Sequence, residues 1–379
     1  MQGLGPNEHL IGQPGSRGRL MTPALLVDLD ALERNIARMA AFARDKGVAL
    51  RPHAKTHKSV QIARMQVEAG ALGICCATLG EAEALAKGGI AGLLITSPVV
   101  TAAKAERLVR LNETAEDLTI VCDDEAMVDL LSQAAAGSKK PLKVAVELDV
   151  GSHRTGAFTP EAAFGVARRI AGSNSLSFAG IHAYAGNLQH LPDYEERKRR
   201  AAAVAETLGG LRRRLEAASL HPGIVSGAGT GTHEIDGLAG HYSELQVGSY
   251  IFTDDDYFPV QLREGEMHPF EPALFVACTV IGVNHAGVGV TDGGIKRFAM
   301  DRGKPQVLRG APAGSTHSSR SDEHGQLNHP EGSLPPVRGS VIECLTPHCD
   351  PTVNLYDHYH IVRGDTLVDI WPVDARGAF

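Results

Sequence analysis

Three neighbouring segments, KVAVELDV (143–150), TPEAAFGVARRIA (159–171) and SFAGIHAYA (177–185), decide the fold. The first and third are short runs of apolar and β-branched residues, which are typical of buried strands. The middle segment contains helix-forming residues behind Thr159, a residue type that caps helices. A strand, a helix and a second strand in this order form a right-handed unit with parallel strands. We therefore expect a parallel sheet covered by helices.

The same alternation extends in both directions from this unit. Helical stretches begin near Leu32, Ser59, Leu79, Ala102, Asp124, Pro160, Asp193 and Gly237, and Thr78, Asp123 and Thr159 are the predicted caps. Six further strands are predicted: VALRPH (48–53), GICCA (73–77), LLITS (93–97), LTIVCD (118–123), GIVSG (223–227) and ELQVGSY (244–250). Eight such units in roughly 220 residues match the size of a (β/α)8 barrel. A doubly wound open sheet is the alternative, but no GxGxxG motif follows an early strand.

A second domain follows the barrel. The run ALLVDLD (24–30) would be a ninth strand, for which a closed eight-stranded barrel has no room. After residue 262 the helical stretches stop, and runs such as FVACTVIGV (275–283) and LVDIWPV (367–373) indicate an antiparallel β domain. We predict a barrel over 22–262 and a β domain over 263–379, joined by the segment 1–21. Strand 24–30 is expected to pair with the β domain, and 302–337 is expected to be an extended loop.

Composition excludes several classes of protein. The 379 residues are 43% hydrophobic and 21% charged, with a formal net charge of −7. This profile is that of a globular enzyme or binding protein, and it disfavours nucleic acid or an anionic membrane surface as partners. No apolar run approaches the roughly 18 residues that a membrane-spanning helix needs. Six cysteines without a CxxC pair indicate reduced thiols and a cytoplasmic location.

Function in a barrel is concentrated where the strands end. The first strand is followed by Lys55, which lies in the sequence between His53 and His57 and close to Arg51. Positive neighbours lower the pKa of a lysine, and such a lysine forms Schiff bases with carbonyl compounds. A solvated basic loop is the alternative interpretation. The run SGAGTGT (226–232) after the seventh strand suggests an anion site made of main-chain N–H groups, although a tight turn explains it equally well.

A third group of candidate residues lies in the C-terminal domain. In the run TPHCDPT (346–352), an extended backbone would point His348 and Asp350 the same way, so that they could hold a divalent cation. Cys349 would then face the opposite side. A turn before a strand is the alternative. His358 and His360 have the same spacing but lie in strand-like sequence, and we interpret them as structural residues.

Taken together, these motifs resemble those of the alanine racemase-type (fold-type III) pyridoxal-phosphate enzymes. Within that class the chain is similar to the D-threonine aldolases and their D-serine dehydratase relatives, from about Thr22 to Val373. The matching strings are TPALLVDLDALERNI, LRPHAKTHK, GICCAT, GSHRTG, HAYAGNLQH, SGAGTGT, QVGSY, DGGIKRFAMDRG, SDEHG and PHCDPTVNLYD.

The resemblance implies roles for individual residues. Lys55 would carry pyridoxal 5′-phosphate (PLP), and Arg154 would meet the pyridine nitrogen of that cofactor. The segments that bind the phosphate and the ring would contain Tyr184, Gly229, Thr230, Gly248, Ser249 and Tyr250. His348 and Asp350 would be the metal ligands, and His190 would be a catalytic acid–base group, a metal neighbour or a structural histidine. The dehydratase relatives carry His-x-Cys instead, so Asp350 favours an aldolase with a harder cation such as Mn²⁺.

The function implied is the PLP- and metal-dependent retro-aldol cleavage of D-threonine and other D-3-hydroxy amino acids to glycine and an aldehyde, by a homodimeric lyase. A metal-dependent D-serine or 3-hydroxyaspartate dehydratase is the main competing function, because it shares every cofactor residue. An amino-acid racemase and a PLP carrier protein are two less favoured candidates. PLP carrier proteins resemble the barrel alone. The second domain therefore argues against a carrier function.

Overall fold

The computed structural model describes residues 3–262, 269–334 and 336–379. Strands and helices alternate over the first part of the chain. They are β1 (Ala24–Asp28), α1 (Leu29–Lys46), β2 (Ala49–Leu50), α2 (Val60–Glu68), β3 (Ile74–Cys76), α3 (Leu79–Lys87), β4 (Leu93–Ile95), α4 (Ala102–Thr114), β5 (Leu118–Cys122), α5 (Glu125–Ala134), β6 (Leu142–Glu147), α6 (Pro160–Ala171), β7 (Leu176–Ala183), α7 (Tyr194–Ala217), β8 (Ile224–Gly227), α8 (His233–Ala239) and β9 (Glu244–Leu245).

Eight of these strands form the barrel that the sequence predicts. The parallel order is β2-β9-β8-β7-β6-β5-β4-β3, and a parallel bridge between His53 and Cys75 joins the two ends of the sheet. The buried strands share one continuous apolar core with the inner faces of the helices. The barrel fold is therefore confirmed. Strand β1 lies outside it, in the sheet of the second domain.

The helix caps follow the sequence at most positions. The hydroxyls of Thr78 and Thr159 accept the N–H groups of Glu81 and Ala162 at the starts of α3 and α6. The cap predicted at Asp123 was wrong by one residue, because the side chain that accepts the first free N–H of α5 is that of Asp124. The carboxylate of Asp123 instead accepts the N–H of Gly156 at 3.0 Å, in the loop that follows the next strand.

The second sheet has nine strands and is mostly antiparallel. Its order is β11-β14-β13-β12-β15-β10-β1-β16-β17, and β11 also pairs with β10, which closes six of the strands into a ring. The strands that follow the first part of the chain, with the one further helix among the described residues, are β10 (Leu274–His285), β11 (Val288–Thr291), β12 (Gln306–Arg309), β13 (Thr316–Ser319), β14 (Gly325–Asn328), β15 (Val341–Leu345), α9 (Cys349–Val353), β16 (His358–Arg363) and β17 (Thr366–Pro372). His358 and His360 lie on β16, as expected of structural residues.

The prediction of an extended loop over 302–337 was wrong, because β12, β13 and β14 lie within it. These strands are four residues each and bury few apolar side chains, with Leu327 fully buried and Val307 half-buried. Their composition is therefore close to that of a loop. They are ordered by cross-strand pairing with β15 and β11, which a local sequence pattern does not reveal.

The β domain lies over the mouth of the first barrel strand. The hydroxyl of Tyr359 donates to the carbonyl of His57 at 2.6 Å, and the N–H of Ala375 donates to the carbonyl of Lys58 at 3.0 Å. Residues 263–268, where the predicted boundary between the domains falls, lie outside the described residues, so the boundary stays a prediction. Among the helices of the described ranges, none is both long and apolar enough to cross a membrane.

Candidate active site

A cavity of about 190 Å³ lies at the C-terminal ends of the barrel strands, beneath the β domain. Ten of the eleven site residues predicted from the sequence line it: Lys55, Arg154, Tyr184, His190, Gly229, Thr230, Gly248, Ser249, His348 and Asp350. They come from both domains and from widely separated positions in the chain. The barrel topology accounts for this convergence, because all the loops after the strands meet at one end.

Tyr250 is the predicted residue that the structure does not bring to the cavity. Its side chain is 1% exposed, and its hydroxyl accepts a hydrogen bond from the Gln66 side chain at 3.0 Å. Its main-chain N–H donates to the hydroxyl of Thr230 at 3.1 Å. Tyr250 therefore supports the segment of Thr230 from behind.

Lys55 lies in a short 3-10 helix (Ala54–Thr56) just after β2, and its Nζ is 2.7 Å from Oδ2 of Asp350. The negative charge of Asp350 raises the pKa of Lys55, although burial opposes it. The expectation that neighbours would lower this pKa was wrong. The Arg51 side chain turns away to a bidentate pair with Glu244, and burial lowers the pKa of His57 to about 3, so that ring stays neutral.

Two glycine-containing segments form one wall of the cavity. A Cβ at Gly229 would lie 2.5 Å from Oε1 of Gln189, and a Cβ at Gly248 would lie 2.8 Å from Oγ1 of Thr56, so a larger residue at either position would displace the neighbouring side chain. Within the described part of the chain, the N–H groups of Thr230, Gly248 and Ser249 donate to no protein acceptor. Unpaired main-chain N–H groups at a cavity wall are suited to a phosphate.

Arg154 is exposed in the loop after β6 and lies over the ring of Tyr184, with Cζ 5.6 Å from the ring centroid. A purely structural salt bridge to a nearby carboxylate would have argued against a role in the cavity. The two carboxylates at the end of the same strand have other partners: Asp149 accepts the N–H groups of the following loop, and Glu147 faces His182 at 3.3 Å. The guanidinium is therefore available to a ligand.

His190 follows strand β7 of the barrel and lines the cavity. Its Nδ1 lies 3.0 Å from Oδ2 of Asp256, and its ring packs on Tyr257 at a centroid distance of 4.5 Å. Burial lowers the pKa of His190, and the charge of Asp256 opposes this shift. A neutral histidine with one nitrogen beside a carboxylate is suited to accept a proton at its other nitrogen.

The local structure predicted for the third group was wrong. His348 has an extended backbone, but Cys349 to Val353 form the short helix α9, with Asp350 in its first turn and Pro351 next to it. Proline is tolerated in the first turn of a helix, where its missing N–H has no helical partner to lose. His348 and Asp350 still both line the cavity. Cys349 is fully buried, and among the described residues it is not part of the cavity lining.

Asp350 is the one carboxylate that lines the cavity within the described residues. Burial alone would raise its pKa, but the Lys55 ammonium outweighs burial and holds the pKa at about 2. Its Oδ1 atom is buried and has no hydrogen-bond partner within the described residues. No group of three His, Cys, Asp or Glu side chains arranged for a metal occurs in that part of the chain. His348 and Asp350 would thus supply two ligands, with the unpaired Oδ1 as one donor.

Comparison with known proteins shows the family to which the chain belongs. Residues 27–256 match the family model described as "Alanine racemase, N-terminal domain", and residues 273–362 match "Putative serine dehydratase domain". The chain is 38% identical to a 3-hydroxy-D-aspartate aldolase of Paracoccus denitrificans (strain Pd 1222), over 96% of this chain and 94% of the relative. The chain belongs to the D-threonine aldolase family of alanine racemase-type enzymes.

Two further relatives support this membership. A D-threonine aldolase of an Arthrobacter species is 36% identical over 96% of this chain and 95% of its own length. The crystal structure of D-threonine aldolase from Filomicrobium marinum superposes with a TM-score of 0.88 at 38% identity, covering 94% of this chain and 96% of that chain. Like the named aldolases of the family, the protein is a lyase.

The family's cofactor, PLP, fits the cavity. Each part of PLP has a suitable partner there. The half-exposed amine of Lys55 suits the aldehyde, the unpaired N–H groups suit the phosphate, and Arg154 suits the pyridine ring. The unpaired Oδ1 of Asp350 and the ring of His348, which also lines the cavity, are oxygen and nitrogen donors of the kind that divalent cations accept.

Sequence reasoning missed several residues that line or support the cavity. Thr96 and Ser97 follow β4 and line it, and the hydroxyl of Thr96 is 3.1 Å from Nε2 of His53. The rule that strand ends carry function would have found both at the end of LLITS. Tyr257 and Asp256 lie in the acidic run TDDDY (253–257), which follows the last barrel strand and was a usable signal.

Proposed function

We propose that this protein is a PLP- and divalent-metal-dependent aldolase that cleaves D-threonine and other D-3-hydroxy amino acids to glycine and an aldehyde. The observation that carries the proposal is the position of His348 and Asp350 at the cavity that holds the Lys55 amine, 2.7 Å from Asp350. This arrangement puts a candidate cation site beside the group that would bind the substrate's amine. The names of the aldolase relatives support the same reaction.

Lys55 would hold PLP covalently, and the N–H groups of Thr230, Gly248 and Ser249 would bind its phosphate. When bound, PLP withdraws electrons from the bonds of the substrate's Cα. Arg154 would meet the ring nitrogen. Because arginine stays protonated, it donates a hydrogen bond there but no full proton, which makes the ring a weaker electron sink than an acidic partner would.

His348 and Asp350 would hold the cation. A nitrogen and a carboxylate ligand favour Mn²⁺, whereas a thiolate ligand would favour zinc. When bound, a divalent cation lowers the pKa of a hydroxyl that contacts it. Before Lys55 binds PLP, its ammonium holds the pKa of Asp350 at about 2. Once Lys55 carries PLP, a bound cation would take over this role, because a positive charge beside a carboxylate favours its ionised form.

His190 would accept the proton that leaves the substrate's β-hydroxyl. Burial lowers its pKa, so the ring is neutral and able to take a proton at neutral pH. Asp256, 3.0 Å from Nδ1, would hold the ring with the opposite nitrogen towards the cavity and stabilise the charge that the ring gains. Once this proton has left, the electron pair of the O–H bond forms the C=O of the aldehyde while the Cα–Cβ bond breaks. The electron pair left on Cα then takes up a proton, which gives glycine.

The competing function is that of a dehydratase, which removes the β-hydroxyl as water and releases ammonia. The position that holds cysteine in the dehydratase pattern is Asp350 here, and the neighbouring Cys349 is fully buried with its N–H bonded to Asp254. Its thiol lies 3.5 Å from Oγ1 of Thr346 and is not part of the cavity lining in the described part of the chain, which favours the aldolase. A homodimer and a cytoplasmic location remain part of the proposal.

One experiment separates the two reactions. The purified protein is incubated with D-threonine, PLP and Mn²⁺, and acetaldehyde and ammonia are assayed in parallel. We expect acetaldehyde and glycine without ammonia, loss of the reaction on chelation, and recovery with Mn²⁺. Ammonia with a 2-oxo acid would establish the dehydratase, and full activity in the presence of a chelator would remove the metal from the proposal.

A further inference from the structure

The main chain of His348 is held in place by its neighbours, which leaves the imidazole ring to another role. The ring does not cap helix α9, although the residue precedes it directly. The His348 carbonyl accepts the hydroxyl of Thr352 at 2.7 Å, and the following N–H, that of Cys349, donates to Oδ2 of Asp254 at 2.8 Å. The side chain is 23% exposed and lines the cavity beside Asp350.

Asp301 holds one of the two ring nitrogens. Its Oδ2 lies 2.7 Å from Nδ1 of His348. An ionised carboxylate only accepts hydrogen bonds, so in the neutral ring the proton lies on Nδ1 and the lone pair on Nε2. Asp301 does not itself line the cavity in the described part of the chain. Any effect that it has on the site is therefore transmitted by the His348 ring.

We propose that Asp301 is a positioning residue that prepares His348 as a nitrogen ligand for a divalent cation. The proposal rests on the proposed function, because it takes His348 and Asp350 as the ligand pair. A histidine that binds a metal commonly donates its other ring N–H to a carboxylate, which fixes the tautomer and makes the ligating nitrogen more basic. The contact between Asp301 and His348 has this form.

Arg302 connects this pair to another histidine of the cavity, His190. Its Nε lies 3.9 Å from Asp301 and 3.6 Å from Asp256, whose carboxylate faces His190. His348 and His190 thus each have a carboxylate beside one ring nitrogen, and the guanidinium of Arg302 lies between the two carboxylates. The two pairs have separable roles: Asp301 acts on the ligand His348, whereas Asp256 acts on the proton acceptor His190.

The test is the affinity of the PLP-loaded protein for Mn²⁺, measured from the electron paramagnetic resonance signal of the free ion. We expect Asp301→Ala to weaken binding by roughly 10- to 100-fold, as the loss of such a carboxylate commonly does. Asp301→Asn, which retains an acceptor without the charge, should lose less, and Asp301→Glu should recover part of the affinity. The absorption of the bound cofactor and the melting temperature should stay close to those of the wild type.

Glu323→Ala is the matched control. Glu323 forms a 2.7 Å ion pair with Lys296 and is 52% exposed, against 51% for Asp301, and it lies in the same β domain. This variant should bind Mn²⁺ like the wild type. Wild-type affinity in Asp301→Ala would overturn the positioning role, as would a loss equalled by Glu323→Ala. Wild-type affinity in His348→Ala would instead refute the proposed cation site, so the two failures are distinguishable.

Discussion

The pKa of Lys55 is set mainly by a residue of the other domain and not by its neighbours in sequence. The adjacent basic residues predicted a lowered pKa, yet the Asp350 carboxylate at 2.7 Å raises it. The reason is that Arg51 and the histidines point away or are neutral, while Asp350 arrives from a position 295 residues later in the chain. The position of Lys55 at the cavity was predictable, but its electrostatic environment was not.

Lys55→Ala tests the covalent role of this lysine. We expect the variant to lose nearly all turnover and the visible absorption band of lysine-bound PLP, because no other amine lines the cavity within the described residues. Lys58→Gln is the control, since Lys58 pairs with Glu81 at 2.5 Å. Borohydride reduction followed by peptide mapping should label Lys55. A label on Lys58 would contradict the assignment.

Arg154→Lys tests the role of the planar guanidinium. The substitution keeps the positive charge but loses the fork of donors, so we expect turnover to fall roughly tenfold or more while PLP affinity changes much less. The phosphate contacts would still hold the cofactor. Turnover and PLP affinity are measured separately on the purified variant. Unchanged turnover would show that Arg154 does not meet the ring.

Substitutions at Asp350 and Cys349 test which of these two adjacent residues faces the cation. Asp350→Ala should behave like the chelated enzyme, and Asp350→Cys should shift metal preference towards zinc, because a thiolate is a softer ligand. Cys349→Ser should keep the wild-type metal requirement, since its side chain is fully buried away from the cavity. Activity with added Mn²⁺ or Zn²⁺ is the measurement. The opposite pattern would favour the dehydratase.

At the scale of elements, the barrel strands and helices were predictable because each satisfies its own local rules. The strands of the barrel are short apolar runs, and most helices begin at a residue whose side chain accepts a free N–H. Helix α9 and strands β12 to β14 were not predictable. The helix is too short to show periodicity, and the strands are too polar to show alternation, so both depend on contacts made with distant parts of the chain.

Thr159→Ala tests the contribution of a cap in the segment that decides the fold. Its hydroxyl accepts the N–H of Ala162 at 3.1 Å, so we expect a loss of about 1 kcal/mol in the free energy of unfolding. Thr101→Ala is the matched control, because Thr101 occupies the same position before α4 without a side-chain hydrogen bond. Urea unfolding of both variants is the measurement. Equal losses would mean that the hydroxyl contact is not the cause.

At the scale of the whole molecule, buried histidines make stability depend on pH. Burial lowers the pKa of His317 to about 4 and that of His57 to about 3, both from 6.5. The unfolded chain therefore binds more protons than the folded chain between these values, so stability rises with pH. The full contribution is present above about pH 6.5 and is lost as pH falls towards 4. These two histidines should therefore weaken the fold as the pH falls from about 6.5 to 4.

His317→Gln isolates one of these histidines. The ring is 1% exposed, lies outside the cavity and is 2.9 Å from the hydroxyl of Thr291, a contact that glutamine can also make. We expect the difference in urea stability between pH 7.5 and pH 5 to be smaller in the variant than in the wild type. An unchanged difference would show that His317 does not contribute to the dependence.

The sequence by itself determined the order of the barrel elements, the position of Lys55 at the cavity, the glycine segments and the candidate ligands His348 and Asp350. These features depend on periodicity, on residue type and on position after a strand, all of which are local. The tertiary structure alone decided that Lys55 pairs with Asp350, that Tyr250 turns into the core, and that Asp301 backs His348. Such contacts join residues far apart in the chain, and their geometry is set by how the β domain packs over the barrel mouth.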